Sequence, residues 1–379
     1  MIELKSLCKS FDGVPAVRDL DLVVGRGEFL CLLGSSGCGK STTLRMIAGF
    51  IQPDSGSVLI DGVDVSGYGP DARPTSMVFQ DYAIFPHLTV AENIEFGLKA
   101  QKLAKDERAR RTEEALELVG LTGLGGRRPN ELSGGQQQRV AVARSLAIRP
   151  SVLLMDEPLS NLDAKTRIQL RTQLREIQRD TGTTIVYVTH DQEEALALGD
   201  RIAVMKDGSL EQLGSGHEIY LAPSNGFVAD FVGITNWLAG EYAGGSDESW
   251  EVNVAGAVLP ATPASTSSSV SPGSPVDVSV RPEDVSLSEE DAPGVGAGAG
   301  AGVLRGVVRD VQFLGPVVRT YVEAAGSVVI VHSAQSGWSP GAKVRLSIGE
   351  GAARAFPRVE GAWRPPEAAA RPVVAAAAS

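Results

Sequence analysis

The chain has 379 residues, of which 43% are hydrophobic and 21% are charged, and its formal net charge is −11. These proportions are ordinary for folded proteins, so they exclude wholesale disorder and collagen-like repeats, and the length allows two or three domains. The acidic balance argues against a nucleic-acid partner, and three cysteines (Cys8, Cys31 and Cys38) are too few for a disulfide framework.

Residues 1–235 alternate short apolar runs with helical patterns, which is typical of an α/β domain with a largely parallel sheet. Strands are predicted at Glu28–Leu33, Val58–Ile60, Met77–Phe79, Val152–Met155 and Thr184–Val188. Helices are predicted from Lys40 to a terminal glycine at Gly49, over Asp106–Val119, from Ser133 to about Ile148, and over Ala164–Arg179. Several strands end at polar residues, so a site is expected along the carboxyl edge of the sheet.

The pattern changes after Asn236 to alternating apolar and polar residues, which indicates half-buried strands in a small barrel or sandwich. These strands are predicted at Trp250–Val254, Val276–Val280, Val303–Phe313, Val317–Val322, Val328–Val331 and Lys343–Ile348. Pro263–Pro275 and Ala292–Gly302 are low-complexity segments and are predicted to be flexible loops. The predicted domains are therefore residues 1–235 and 236–350, followed by a disordered Ala/Pro-rich tail over residues 351–379.

A phosphate-binding loop is predicted between the strand that ends at Leu33 and the helix that starts at Lys40. Its glycines let backbone N–H groups turn toward phosphate oxygens, and the helix adds its positive N-terminal end. Lys40 is expected to reach the β- and γ-phosphates, and Ser41 to hold Mg²⁺. The alternative is a glycine turn before an ordinary helix. The expected nucleotide-binding residues are Gly34, Ser35, Ser36, Gly37, Cys38, Gly39, Lys40, Ser41 and Thr42.

Two adjacent carboxylates, Asp156 and Glu157, follow the apolar run Val152–Met155. Magnesium prefers oxygen ligands, often through a bridging water, and Asp156 suits that role. Glu157 could polarise a water for in-line attack on the γ-phosphate. The alternative is a pair of solvated acids in a turn before Pro158, but the phosphate loop favours the chemical interpretation.

A second anion-binding helix start is predicted at the segment LSGGQQQR. Ser133 is a suitable N-cap, and the glycines after it leave backbone N–H groups accessible. The alternative is an ordinary capped helix. The residues expected to contact nucleotide here are Ser133, Gly134, Gly135 and Gln136.

With these motifs in this order, residues 1–235 resemble the ATP-binding subunit of ABC transporters, whose fold is that of a P-loop NTPase. Phe11 stands where the family stacks an aromatic ring on adenine, usually a tyrosine. Gln80, at the end of SMVFQ, matches the Q-loop glutamine. Ser160–Asp163 match the family's D-loop, so Asp163 is expected near nucleotide. His190 matches the switch histidine.

The resemblance implies a head-to-tail homodimer in which each ATP lies between the phosphate loop of one copy and Ser133–Gly135 of the other. Glu157 is then the general base, and His190 contacts the γ-phosphate and orients the attack. Gln80 senses Mg²⁺ and nucleotide. ATP and Mg²⁺ are the cofactors that this mechanism requires.

The resemblance also implies integral membrane permease subunits as partners. The segment Asp81–Leu88 is expected to form part of the groove that receives a helix from a permease. Tyr82 and Phe85 suit such a surface if they are exposed; the alternative is that they fill the core of their own domain.

Residues after 236 resemble the β-rich accessory domain of importer ATPases, a small oligonucleotide-binding-type barrel, on the segments SVRPEDV and VQFLG. The runs QDYAIFPHLTVAENIEFGL and NGFVADFVGITNWLAGEY most resemble the polyamine and ferric-iron importers. A polyamine importer (spermidine/putrescine) is the main expectation, with ferric iron, phosphonate or sulfate as alternatives. A solute-binding protein would act indirectly. The barrel could sense a small molecule or enlarge the homodimer contact.

The predicted location is the cytoplasmic face of the cell membrane, as a peripheral subunit. The N-terminal MIELKSLCKSF lacks the apolar stretch of a secretion signal, and no run approaches the roughly 18 apolar residues of a membrane-spanning helix.

A rival class is a soluble ABC ATPase without a transporter. DNA-repair members insert a long coiled coil between Ser41 and Ser133, and this interval shows no sustained heptads. Translation-factor members carry two ATPase domains, whereas this chain has one phosphate loop.

Overall fold

The computed structural model describes residues 1–264, 270–290, 302–335, 337–358 and 363–365, and the chain forms two compact units, Met1–Glu218 and Ile219–Ser379. The division falls before the predicted boundary at residue 235. The reason is Arg281, which is buried and donates hydrogen bonds to the backbone oxygens of Tyr220, Ala229 and Ile234 at 3.1, 3.0 and 3.2 Å. These bonds join residues 219–235 to the second unit.

The first unit contains ten strands and six helices. The strands are β1 (Ile2–Phe11), β2 (Val14–Val24), β3 (Phe29–Gly34), β4 (Ser55–Ile60), β5 (Val63–Asp64), β6 (Thr75–Val78), β7 (Val152–Asp156), β8 (Thr184–Thr189), β9 (Arg201–Lys206) and β10 (Ser209–Gly214). The helices are α1 (Lys40–Ala48), α2 (Val90–Ala100), α3 (Lys105–Leu118), α4 (Gly134–Ala147), α5 (Ala164–Thr181) and α6 (Gln192–Leu198).

A six-stranded sheet in the order β10-β9-β3-β8-β7-β6 forms the centre of this unit, and its last five strands are parallel. Every residue of β3, β7 and β8 is buried. Strands covered on both faces read as continuous apolar runs, which is why the sequence predicts them correctly. This confirms the predicted α/β class.

A second, antiparallel sheet in the order β2-β1-β4-β5 packs through α1 against the central sheet. Leu44, Met46 and Ile47 of α1 are fully buried and belong to one apolar core with residues of both sheets. The helix ends at Gly49, whose φ of 84° is the left-handed conformation expected of a terminal glycine. The packing of α1 between the sheets therefore fixes the start of that helix at the carboxyl end of β3.

In the described residues of the second unit there are ten strands and the short helices α7 (Gly216–Leu221), which begins in the first unit, and α8 (Gly226–Phe231). The strands are β11 (Asn236–Gly245), β12 (Trp250–Val254), β13 (Ala257–Pro263), β14 (Pro275–Val280), β15 (Val285–Glu289), β16 (Val303–Phe313), β17 (Val318–Ala324), β18 (Ser327–Ser333), β19 (Lys343–Ile348) and β20 (Arg354–Pro357).

These strands form a closed barrel in the order β11-β12-β13-β20-β14 and an antiparallel sheet in the order β15-β19-β16-β17-β18. Their alternating inward residues share one apolar core. The predicted small β-rich domain is confirmed. Among the described residues, no helix is long and apolar enough to cross a membrane.

One prediction for this unit is wrong in part, and it and two others lie partly outside the described residues. The prediction of a disordered tail over residues 351–379 is wrong at β20, which lies there and closes the barrel with Ala353 and Ala355 buried, whereas residues 359–362 and 366–379 lie outside the described residues. This strand pairs with β13 and β14, and four residues are too few to show a period-two pattern. The predicted loop Ala292–Gly302 lies outside the described residues except for Gly302, and so do residues 265–269 of Pro263–Pro275.

Candidate functional site

The central sheet brings four predicted motifs to one edge. Strands β3, β8, β7 and β6 are parallel neighbours, so their carboxyl ends meet at the same side of the sheet. Gly34 ends β3, Asp156 ends β7, and His190 and Gln80 follow β8 and β6 closely. The parallel order of these strands thus assembles residues that lie far apart in the sequence.

The phosphate loop joins β3 to α1. Gly39 adopts φ 98°, and a Cβ atom there would lie 2.3 Å from the Ala16 carbonyl oxygen. The buried Lys40 ammonium donates to the carbonyl oxygens of Gly34 and Ser35 at 2.7 and 2.8 Å. Burial raises the pKa of the neighbouring Cys38 thiol. The loop therefore holds a cation beside the positive N-terminal end of α1, an arrangement suited to phosphate.

Two glycines of this loop provide a matched test of its packing. Gly37 also has a positive φ, 83°, but a Cβ atom there meets nothing within 4 Å. We expect Gly37→Ala to cost about 1 kcal/mol of unfolding free energy through backbone strain alone, and Gly39→Ala to cost about 2–3 kcal/mol more because of its backbone clash. Thermal unfolding compares the two. Equal losses would show that the close approach to Ala16 does not matter.

The hydroxyl of Ser41, in the first turn of α1, donates to Asp156 Oδ1 at 2.7 Å. Asp156 is buried, and its second carboxylate oxygen lies 3.7 Å from Arg45 Nη2. A hydroxyl and a carboxylate that meet beside a phosphate loop are the oxygen donors that Mg²⁺ prefers. The two residues predicted separately as metal ligands therefore lie together.

Glu157 and His190 form the second pair at the sheet edge. His190 Nδ1 and Glu157 Oε2 are 2.9 Å apart, and the histidine side chain is 55% exposed. Glu157 adopts φ 45°, and its backbone N–H donates to the Val188 carbonyl oxygen at 3.0 Å. This unusual backbone conformation turns the carboxylate away from the strand direction and toward the turn after β8.

Gln80 lies against the D-loop, Ser160–Asp163. Its Nε2 donates to Ser160 Oγ at 3.4 Å, and Asn161 Nδ2 donates to the Gln80 carbonyl oxygen at 3.3 Å. Asp163 caps α5 by accepting from the Thr166 N–H at 3.0 Å, and this bond lowers the pKa of its carboxyl. The D-loop is thus fixed from both ends.

The segment Ser133–Gln136 forms a cluster of its own at the start of α4. Ser133 and Gln136 make a reciprocal capping box, with bonds of 2.9 and 3.3 Å. Cβ atoms on Gly134 and Gly135 would lie 3.3 Å from Leu162 and 2.8 Å from Thr166. Among the described residues, no hydrogen bond joins this cluster to the phosphate loop. The two helix starts predicted to bind anions are therefore not bonded to each other in the part of the chain that the structure describes.

Phe11, predicted to stack on adenine, ends β1 and is 45% exposed, with Lys9 Nζ 5.6 Å from its ring centroid. Ser35, Ser36 and Gly37 are exposed, and Thr42 is half-buried in the first turn of α1. An exposed ring with a cation nearby is accessible to a planar base.

In the segment Asp81–Leu88, one predicted aromatic residue fills the core of its own domain and the other contributes to a surface. Tyr82 is buried and therefore belongs to its own domain, whereas Phe85 is half-buried and packs against the exposed Phe96 at 4.6 Å. Arg144 of α4 donates to the carbonyl oxygens of Tyr82 and Ala83 at 2.9 and 2.7 Å. Only Phe85 of the two predicted aromatics contributes to a surface.

Polar residues beyond the predicted set also support the site. Glu194 of α6 is buried and accepts hydrogen bonds from the hydroxyls of Tyr187 and Thr189, each at 2.8 Å. Burial raises the pKa of its carboxyl. Arg167 of α5 approaches this carboxylate, with its Nε 3.7 Å from Glu194 Oε1. Neither Glu194 nor Arg167 lies in a recognisable motif. The cluster of acids after His190 is the feature of the sequence that could have pointed to them.

Comparison with known proteins gives consistent matches. The ABC transporter profile matches residues 17–160 and the TOBE domain profile matches residues 278–356. The chain is 47% identical over 346 residues to the spermidine/putrescine import ATP-binding protein PotA of Acidothermus cellulolyticus, covering 88% of this chain and 87% of that protein. It is 52% identical over 255 residues to the Fe(3+) ions import ATP-binding protein FbpC of Rhizobium etli, covering 67% and 72%.

A solved structure is also similar to the first part of the chain. It is the dimeric structure of a post-hydrolysis state of the ATP-binding cassette MJ0796 bound to ADP and Pi. The TM-score is 0.51 with 34% identity, over 57% of this chain and 98% of that one.

A phosphate loop that opens a helix, beside acidic and histidine side chains at the ends of parallel strands, defines a P-loop ATPase. The relatives cover both units of the chain. The chain belongs to the ABC transporter family, as an import ATP-binding subunit with a C-terminal TOBE domain, and it binds and hydrolyses ATP. The resemblance inferred from the sequence is confirmed.

Proposed function

We propose that this chain powers a polyamine importer by hydrolysing ATP at the edge where β3, β6, β7 and β8 end. The observation that carries the catalytic assignment is the contact of 2.9 Å between Glu157 and His190, next to the strand end that holds the Ser41–Asp156 pair. A carboxylate and an imidazole placed there can move a proton and orient a reacting water.

Lys40 and the N–H groups of the phosphate loop bind the β- and γ-phosphates, and Phe11 stacks on the adenine. Support for this comes from the φ of Gly39 and the position of the Lys40 ammonium inside the loop. The remaining loop residues, predicted above, provide the backbone that surrounds the phosphates.

The donor set fits Mg²⁺, because Ser41 and Asp156 supply a hydroxyl and a buried carboxylate in contact with each other. These two residues would hold the ion, and the side chain of Gln80, which bonds to the D-loop, is the third proposed ligand. Bound Mg²⁺ supplies positive charge that offsets the charge of the phosphate oxygens.

In the proposed reaction, a water oxygen bonds to the γ-phosphorus while the bond from that phosphorus to the β,γ-bridging oxygen breaks. Glu157 accepts the proton of the attacking water, and ADP leaves with the electron pair of the bridging oxygen. His190, held against Glu157, contacts the γ-phosphate and orients the attack. The products are ADP and inorganic phosphate.

The second phosphate contact comes from another copy of the chain. Ser133–Gln136 start α4 with N–H groups suited to an anion, and they pack against Leu162 and Thr166 beside Asp163. A homodimer in which Ser133–Gln136 and Asp163 of one copy face the nucleotide of the other uses both helix starts. The dimeric state of the MJ0796 cassette supports this arrangement.

The proposed partners are integral membrane permease subunits, which would dock near Phe85 and Phe96 on the cytoplasmic face of the cell membrane. Phe96 is 51% exposed and packs on Phe85, and both lie after Gln80 in the chain. A solute-binding protein acts through the permease, and nucleic acid is not among the proposed partners.

Polyamine is the proposed cargo because the matches to proteins named for spermidine/putrescine import reach 96% of the chain. Ferric iron is the second candidate, favoured by 52% identity to one Fe(3+) import protein over 67% of the chain and by 45% identity to another, of Brucella melitensis, over 88%. The test is to reconstitute the full chain with its permease subunits and solute-binding protein.

In that system we expect binding protein loaded with spermidine or putrescine to raise the ATPase rate, and binding protein offered ferric iron to leave it unchanged. The reason is that the cargo acts on the ATPase only through the binding protein and permease. Stimulation by ferric iron alone would transfer the assignment to the second candidate. ATPase stimulated by DNA or ribosomes instead would contradict an import function.

A further inference from the structure

The D-loop and the turn that carries His190 are joined by a single guanidinium, that of Arg167 on α5. Its Nη2 donates to the Leu162 carbonyl oxygen at 3.1 Å, and its Nη1 donates to Asp191 Oδ2 at 3.1 Å. Leu162 belongs to the D-loop, and Asp191 follows His190 directly. Arginine can make such a two-sided contact because its planar fork presents several donors in fixed directions.

The surroundings of Arg167 keep its side chain in this position. Glu194 Oε1 lies 3.7 Å from Arg167 Nε, and Glu194 is buried while it accepts bonds from two hydroxyls. Within the described part of the chain, the buried Nε has no hydrogen-bond partner. The guanidinium therefore faces two carboxylates, Asp191 and Glu194, with its side chain only 29% exposed.

The proposed general base, Glu157, is contacted from both of the segments that Arg167 joins. The Ser160 hydroxyl donates to the Glu157 carbonyl oxygen at 2.9 Å from the D-loop side, and His190 contacts the Glu157 carboxylate at 2.9 Å from the other side. Arg167 joins the two sides through Leu162 and Asp191. A displacement of the D-loop is therefore expected to displace, through Arg167, the turn that positions His190 against Glu157.

We propose that Arg167 is a positioning residue that couples the D-loop to His190, so that the histidine meets Glu157 correctly only when the D-loop is in place. This inference rests on the proposed hydrolysis at Glu157. Because the D-loop lies beside Ser133–Gly135, which would face the second copy, Arg167 links formation of the homodimer to the readiness of the catalytic pair.

A plain structural role is the competing explanation, and the chain offers a matched control for it. Arg171 lies one helical turn after Arg167 on α5 and also approaches an acid of α6, Glu193, at 3.8 Å. Among the described residues, no hydrogen bond joins Arg171 to the D-loop, so Arg171→Ala removes a more exposed α5–α6 ion pair without touching the proposed link. Asp191→Asn breaks the link from the other side, because an amide nitrogen then replaces the Oδ2 that accepts from Arg167, and the remaining amide oxygen can keep the cap that Oδ1 makes on α6.

The experiment measures steady-state ATP hydrolysis and thermal unfolding of the full chain with Arg167→Ala, Asp191→Asn, the double variant and Arg171→Ala. Misplacement of a catalytic group by a fraction of a bond length lowers kcat, so we expect each single variant to lose about tenfold or more in kcat, with KM for ATP changed by less than about twofold. The double variant is expected to lose no more than Arg167→Ala alone, because both changes break one link. Arg171→Ala is expected to keep its kcat.

An unchanged kcat in Asp191→Asn, additive losses in the double variant, or an equal loss in Arg171→Ala would overturn the inference. If Arg167→Ala unfolds because it leaves Glu194 without its cation, the kcat of Asp191→Asn still tests the coupling role. Glu157→Gln in the same assay distinguishes failure of the general-base assignment from failure of the coupling role of Arg167. Loss of turnover in Glu157→Gln but not in Asp191→Asn refutes only the coupling role, whereas normal turnover in Glu157→Gln refutes the proposed general base on which the coupling role rests.

Discussion

The Glu157→Gln variant is expected to bind ATP as the unchanged chain does and to lose about 10²–10⁴-fold in turnover. Glutamine fills the same volume and can keep a hydrogen bond to His190, which lies 2.9 Å from the carboxylate, but its amide cannot accept the proton of the attacking water. Binding survives because Lys40 and the phosphate loop are unchanged.

Release of phosphate under saturating ATP measures the turnover, and calorimetry measures the affinity. Glu176→Gln is the matched control, since Glu176 lies exposed on α5, away from the paired carboxylates. The control should hydrolyse ATP at the normal rate. Normal hydrolysis in Glu157→Gln would remove Glu157 from the role of general base.

The Lys40→Ala variant is expected to lose nucleotide affinity. Each charge-assisted hydrogen bond to a phosphate contributes about 1.5–3 kcal/mol, so binding should weaken by roughly ten- to a hundredfold or more. The effect is local, because within the described part of the chain the Lys40 ammonium bonds only inside the loop, to the carbonyl oxygens of Gly34 and Ser35 and to Cys38 Sγ.

Lys105→Ala provides the comparison for this change, because Lys105 is an exposed lysine at the start of α3. Titration of ATP by calorimetry, with thermal unfolding to verify that both variants are folded, separates lost binding from lost structure. ATP affinity that survives in a folded Lys40→Ala chain would be incompatible with phosphate binding by this loop.

The central sheet was predictable from the sequence because its strands are buried on both faces. Leu30–Leu33 and Val152–Met155 are apolar without interruption, and Thr184–Val188 is nearly so. Residues predicted for the site, namely Gly34, Asp156 and His190, follow these runs within two positions. Parallel strands put those ends at one edge, so the sequence pattern also predicted that the motifs would meet.

Other elements could not be predicted, for physical reasons that differ. The ladder between β1 and β2 contains register shifts after Leu4, Leu7 and Lys9, and such bulges break the period-two pattern by which a half-buried strand is recognised. The burial of Tyr82 depends on tertiary packing, which no local pattern encodes. β20 gains its stability from its barrel neighbours, so its own short sequence predicted disorder instead.

The site itself was predictable to the level of residue types but not of contacts. Ser41 and Asp156 are both predicted from the sequence to hold Mg²⁺, yet the 2.7 Å bond between them depends on the side-by-side packing of α1 and β7. The link through Arg167 could not be predicted from the sequence. It joins residues of α5, the D-loop and the turn after β8, and no regular spacing in the sequence relates these residues.

The most direct test of the account is the oligomeric state of Glu157→Gln with and without ATP, measured by size-exclusion chromatography with light scattering on the full chain. Two nucleotides held between two copies should stabilise the dimer when hydrolysis is blocked. The account predicts one chain's mass without nucleotide and twice that mass with ATP and Mg²⁺, reverting to one when Lys40→Ala is added. A chain that binds ATP, does not hydrolyse it and stays monomeric, alone and with its permease partners, would contradict the account.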